Sequence, residues 1–169
     1  RGTGQGSMAS TPTNRESVAH TSMMFDVFIS YRWITPDQDW VRNQLCPSLR
    51  GAGLKVGLDV DEFIPGQYEI REIVRVGSQS RHVLCIISPE YFDEQHFTIL
   101  ETLFARRRDL GGRNSYLVPL ILRHTTIPEY VQGLVSLDWT NPNDRGREWK
   151  KLLNVLGAPN LDATPPTGP

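Results

Sequence analysis

Apolar residues recur along this chain at two periods, and the alternation between them predicts the fold. The run Phe25-Asp26-Val27-Phe28-Ile29-Ser30 is short and rich in strand-forming residues, which predicts a first strand. Over residues 36–52 the spacing turns helical through Trp40, Val41, Leu45 and Leu49. Thr35 is the expected N-cap, Pro36 the first helical residue, and Gly51 with Gly53 the stop. Residues 54–59 predict a second strand, Ile64-Pro65-Gly66 a loop, and residues 68–78 a helix facing inward through Ile70, Ile73 and Val74. Residues 81–88 predict a third strand. Ser88-Pro89-Glu90 then opens a helical region, irregular at first, that runs to about Arg108 and ends at Gly111-Gly112. Residues 116–122 and 134–139 predict the fourth and fifth strands, with a short helix over 128–133 between them. A last helix over 144–156 places Trp149, Leu152, Leu153 and Leu156 inward.

The first, third and fourth strands are apolar on both faces, the pattern of a parallel sheet covered by helices on each side. Five β-α units joined by right-handed crossovers predict a doubly wound α/β fold with a flavodoxin-like five-stranded sheet of order 2-1-3-4-5. Ligands of such sheets bind outside the carboxyl ends of the strands, where the order reverses. That crevice lies between strands one and three. Its expected walls are residues 30–35, the loop over 59–66, and Ser88 onward.

Composition narrows the class. The 169 residues carry 18 basic and 19 acidic side chains, so no overall basic field favours nucleic acid or an anionic membrane. No apolar run approaches a membrane span. Cys46 and Cys85 form no metal or redox motif, and Cys85 sits in an apolar run as a buried hydrophobe, which suggests a reducing, cytoplasmic setting. The four histidines show no metal-site spacing. Residues 1–22 are expected to be an expression scar followed by a disordered segment, residues 23–157 the folded domain, and residues 158–169 a proline-rich linker or tail with a sensor domain expected beyond it.

One acidic residue stands out. Phe97, Leu100 and Phe104 share a helical face, and Glu101 lies at its edge. A carboxylate held against rings loses water, which marks it as a candidate for chemistry; the plain alternative is a boundary Glu whose oxygens reach solvent.

At this point the residues resemble a family. Residues 25–31 look like the first signature box of TIR domains, Asp59-Val60-Asp61-Glu62-Phe63-Ile64-Pro65-Gly66 resembles the second, Phe97-Thr98-Ile99-Leu100-Glu101 resembles the Trp-Cys-x-x-Glu segment, and Leu137-Asp138-Trp139 the last box. The usual Trp is here Phe97 and the usual Cys is Thr98. Ser30-Tyr31-Arg32 and Asp59-Val60-Asp61 look closest to the bacterial and axonal hydrolases of the family, whereas Pro65-Gly66 looks more like the receptor-type loop.

The resemblance implies an NAD+ glycohydrolase. It would release nicotinamide and ADP-ribose or a cyclic isomer, need no cofactor or metal with NAD+ as the substrate, and act in bacterial immunity and antiviral defence. Glu101 would be catalytic, with Arg32, Trp33, Asp59 and Phe97 lining the NAD+ site. Phe63, Ile64, Pro65 and Gly66 would form an apolar loop tip for TIR–TIR self-association. The alternative is a non-enzymatic adaptor with Glu101 an ordinary helix residue. A second alternative, a receiver-like phosphate-binding domain on the same topology, would carry an acidic cluster at the first strand end, and this chain has none there.

Overall fold

The structure is a computed structural model and describes residues 2, 23–109 and 116–169, with the side chains of 94, 95, 97 and 106–109 outside that set. The expected N-terminal scar and disordered segment, the Gly111-Gly112 stop and the side chain of Phe97 lie outside the described residues.

Five parallel strands build one sheet in the order β2-β1-β3-β4-β5, as the sequence predicts. The strands are β1 (Phe25–Ser30), β2 (Val56–Gly57), β3 (Ser80–Ile87), β4 (Leu117–Ile121) and β5 (Leu137–Asp138). Alternation along each strand divides the core in two. Val27 and Ile29, Leu84 and Ile86, and Val118 and Leu120 point to one face; Phe28, Val83, Cys85 and Ile87 point to the other. The first face is covered by α1 (Asp37–Trp40), α2 (Cys46–Gly51) and α7 (Arg145–Leu156). The second is covered by α4 (Glu69–Ser78) and α5 (Glu94–Asp109), with α6 (Glu129–Gln132) at its edge.

Between α1 and α2 the helix widens into a π turn over Val41–Leu45. Pro47 is the physical reason: it has no N–H for the carbonyl four residues back, and its ring would collide with that carbonyl in a tighter helix. The helix begins at Asp37 without a side-chain cap, so Thr35 does not serve as the expected N-cap. A four-residue helix, α3 (Asp59–Glu62), occupies what the sequence predicts as loop. Then Ile64-Pro65-Gly66-Gln67 closes a type II turn. Gln67 N donates to the Ile64 carbonyl at 3.2 Å, and Gly66 takes φ +84°, a conformation open to glycine at that position.

Residues 158–169 do not leave the domain as a linker. They fold back along α7 and α1, with Ala158 and Pro166 buried.

Candidate functional site

At the carboxyl end of β1 the chain enters a loop that carries Tyr31, Arg32 and Trp33. Two networks hold it. The first centres on Asp59, only 3% exposed at the start of α3. One of its oxygens accepts from the Tyr31 hydroxyl at 2.7 Å and from the Val60 N–H at 2.7 Å, and the other accepts from the Trp33 indole N–H. Arg42 completes the brace. Its Nε donates to the Tyr31 hydroxyl at 2.7 Å, and its guanidinium lies 5.7 Å from the Tyr31 ring centre and 5.6 Å from that of Trp33. Burial pushes the Asp59 carboxyl above the usual carboxylate range, against the pull of its three donors. Burial, helped by the bond to Asp59, likewise raises the Tyr31 phenol.

The second network joins this loop to the start of α5. Arg32 pairs with Asp93 at 2.7 Å and lies 3.3 Å from His96 Nδ1. Asp93 also accepts from the His96 N–H at 2.8 Å and contacts His96 Nδ1 at 2.9 Å, which is the N-cap geometry at the head of a helix. Burial alone would raise the Asp93 carboxyl; the His96 and Arg32 contacts outweigh it and hold that carboxyl below the usual range. His96 is 3% exposed, with its ring centre 5.4 Å from that of Tyr91.

Phe63 sits beneath this assembly, 6.3 Å from the Phe28 ring and 6.5 Å from the Trp33 ring. It packs on the second core face, so the loop tip expected to expose both Phe63 and Ile64 exposes Ile64, at 51%, while Phe63 turns inward. The apolar ring finds more contact under Trp33 than in water. Pro65 and Gly66 are exposed with Ile64. The loop is clamped from α4 as well. Glu72 accepts from the Ile64 N–H at 2.8 Å, and Arg75, bonded to Glu72 at 2.7 Å, donates to the Glu62 carbonyl at 2.8 Å.

Glu101 lies elsewhere on α5. Among the described side chains of that helix the buried stripe is His96, Ile99, Leu100 and Leu103. At about 100° per residue, Glu101 falls roughly 150° from the stripe's centre, and it is exposed with Thr98 and Ala105. The expectation of a desolvated carboxylate pressed on rings is therefore corrected. Its registered neighbour is Tyr130 of α6, whose ring packs 5.6 Å from Phe104. Burial, and after it the nearby Glu101 charge, pushes the Tyr130 phenol up to about 12. Among the described residues no hydrogen bond or ion pair joins Glu101 to Arg32, Trp33 or Asp59. Arg32, Trp33 and Asp59 do come together, but the Asp59 oxygens are engaged inside the fold. Trp33 leaves 48% of its surface to solvent.

Sequence reasoning placed Tyr31 in the first signature box without a role and missed Arg42, Asp93, His96 and the Glu72–Arg75 clamp. Two of these had a local signal: Asp93 precedes His96 by three residues at a helix start, and Glu72 precedes Arg75 by three on a helix. Among the described residues no cluster of three or more His, Cys, Asp or Glu side chains could hold a metal ion, and no helix is long and apolar enough to cross a membrane.

Comparison with known proteins places these features. A family model described as "TIR domain" matches residues 27–153. Human Toll-like receptor 1 is 28% identical over 153 residues, covering 85% of this chain and 19% of that receptor; mouse Toll-like receptor 6 is 25% identical over 142 residues, covering 78% and 18%. The chain thus spans about a fifth of the length of these curated relatives. The TIR domain of the Toll-related receptor TRR-2 from Hydra magnipapillata superposes with a TM-score of 0.67 at 22% identity, covering 79% of this chain and 98% of that one. A metazoan TIR-STING receptor from C. gigas gives 0.56 at 20% identity, over 94% of this chain and 45% of that one. The chain belongs to the TIR domain family. The curated relatives are Toll-like receptors, so the comparisons carry the family at large and not the narrower likeness to bacterial and axonal hydrolases.

Proposed function

We propose that this domain cleaves the nicotinamide–ribose bond of NAD+ in an assembled state, with Glu101 as the catalytic carboxylate. The observation that carries the reading is the place of Glu101: an exposed carboxylate on the flank of α5, beside the Tyr130 phenol that it helps to raise.

The chemistry asks little more of the protein. Nicotinamide in NAD+ is a cationic pyridinium. When the C1′–N bond breaks, its electron pair goes to the ring nitrogen and the base leaves neutral, so no acid is needed. The ribose left behind is oxocarbenium-like. One carboxylate at its hydroxyls orients it and stabilises the charge, and water then adds at C1′ and releases its proton to solvent. Trp33, half exposed at the rim, offers a face for an aromatic ring, and Arg32 a guanidinium for phosphate, which is the role proposed for each.

An open carboxylate is a poor catalyst, since water screens it. The site on a single copy is therefore incomplete, and a second copy covering the α5 flank would exclude that water. Ile64, Pro65 and Gly66 are proposed to make such TIR–TIR contacts.

Nicotinamide release measured by chromatography, over a range of protein concentration, tests this. The rate per molecule should rise with concentration, and Glu101→Gln should abolish it. Turnover retained in Glu101→Gln sinks the assignment. The second reading, a signalling domain without catalysis, is favoured by the receptor relatives; absence of nicotinamide at every concentration would count for it.

A further inference from the structure

β5 is two residues long, and a cavity opens where it would otherwise extend toward its amino end. Its first residue, Leu137, registers with Leu120, so the amino-terminal half of β4 has no strand on that side. Successive residues of a strand inside a parallel sheet turn their N–H and C=O to opposite neighbours. The Tyr116 carbonyl accepts from Val83 of β3 at 2.6 Å, and the Ile121 carbonyl accepts from Trp139, just past β5, at 2.9 Å. Counting inward from these two, residues 116, 118 and 120 face β3, and the N–H and C=O of Leu117 face the open edge. Among the described residues nothing bonds to either group. Leu117 is 5% exposed, and buried main-chain groups left in this way ask for a partner.

The cavity along this edge holds about 370 Å³, near the lower end of the range for ligand pockets. Its floor is apolar: Leu117, Val118 and Leu137 line it, and all three are buried. Its rim is mixed. Val135, two residues before β5, is 95% exposed and Val155 of α7 is 39% exposed, so two apolar side chains stand at the mouth with little to cover. Among the described residues of the lining, Lys151 alone carries a charge. One of its three ammonium protons goes to Glu148 at 3.0 Å, and no other described residue takes the remaining two. Glu148 does not depend on Lys151 alone, since it also accepts from the Asp138 N–H at 3.1 Å and from Arg147 at 3.4 Å. The lysine is therefore free to share its charge with a ligand at the rim.

We propose that this cavity binds the carboxyl terminus of an extended peptide whose last residue is apolar. The last side chain fills the floor, the main chain ahead of it exchanges hydrogen bonds with the Leu117 N–H and C=O on the open edge of β4, and the terminal carboxylate sits at Lys151. Each part of that ligand answers one feature of the cavity. A fatty acid brings no amide for the strand edge, and an internal stretch of peptide brings no carboxylate for the ammonium. Main-chain pairing at an edge supplies affinity whatever the sequence; the apolar floor and the single cation supply the selection. Val135 and Val155 close over the side chain and lose apolar surface to it instead of to water. The inference does not rest on NAD+ cleavage: β4, β5 and α7 form the site, and none of its residues is proposed for that reaction.

Nuclear magnetic resonance titration of the full native chain tests it with three probes. They are an acetyl-capped tetrapeptide ending in leucine with a free carboxyl group, the same peptide amidated, and octanoate, which has the apolar chain and the carboxylate but no amide. The peptide acid should shift the methyl signals of Leu117, Val135 and Val155, and should bind roughly tenfold more tightly than either the peptide amide or octanoate. In Lys151→Met the acid should lose that advantage and bind no better than the amide. Val155→Trp, a change at the exposed mouth, should block both peptides. Equal affinity of acid and amide for the native chain, octanoate as tight as the acid, shifts confined to another surface, or no shift at millimolar peptide would each overturn the proposal. So would undiminished binding in Val155→Trp. Should a variant fail to fold, the comparison of the three probes on the native chain decides by itself.

Discussion

The Glu72 carboxylate accepts the backbone N–H of Ile64 at 2.8 Å, so a helix of the scaffold holds the exposed turn over residues 64–67 by its main chain. Arg75 and this N–H hold the Glu72 carboxyl below the usual range. A group whose folded pKa is depressed contributes its stabilisation above its unfolded value and loses it as pH falls through the folded one. Protection of the Ile64 amide, its exchange rate relative to a free peptide at the same pH, should therefore fall on acidification below about pH 4. In Glu72→Gln that protection should be lower, by roughly tenfold, already at neutral pH and should not change with acid. Amide hydrogen exchange followed against pH is the measurement.

Asp59 has the opposite sign. Its folded pKa is raised, so the native state holds a proton more firmly than the unfolded chain, and this group's contribution is greatest at acid pH and declines as pH rises through the folded value. Denaturant melts of the native chain and Asp59→Asn across pH 4 to 7 should show the difference between them moving in that direction. Asp59→Ala leaves the Tyr31 hydroxyl, the Trp33 indole and the Val60 N–H without their acceptor. It should cost about 2–4 kcal/mol by the same melts.

Glu101 and Tyr130 can be linked without any substrate. Because the Glu101 charge helps to raise the Tyr130 phenol, Glu101→Gln should lower that pKa from about 12 toward its ordinary value, read by ultraviolet titration of phenolate. Thermal stability should change by less than about 0.5 kcal/mol, as expected for an exposed site. An unmoved phenol would separate the two residues.

Asp93 serves a helix and an arginine together. Asp93→Ala removes the cap from the His96 N–H and the carboxylate from Arg32. A loss of about 1–2 kcal/mol is expected in denaturant melts, and the mobility of the β1 loop should increase, seen as weaker protection at Trp33. Asp93→Asn, which keeps the cap, should retain most of the stability and lose the ion pair.

Local pattern was enough for the sheet. Strands apolar on both faces can be satisfied only between two layers of helices, and the order of strands and helices then leaves little choice of topology. The turn at Pro65-Gly66 was equally legible, because its geometry is decided within four residues. Glu101 was not, since Phe97, Leu100 and Phe104 and the true stripe of His96, Ile99, Leu100 and Leu103 differ by a rotation that only packing against α4 and the sheet selects. Nor could spacing reveal that Asp59 answers Tyr31 and Trp33 across 28 and 26 residues, or that Trp40 donates to a carbonyl 127 residues away. Periodicity reports on neighbours along the chain; which buried donor meets which acceptor is decided when the layers close and every polar group left inside must find a partner.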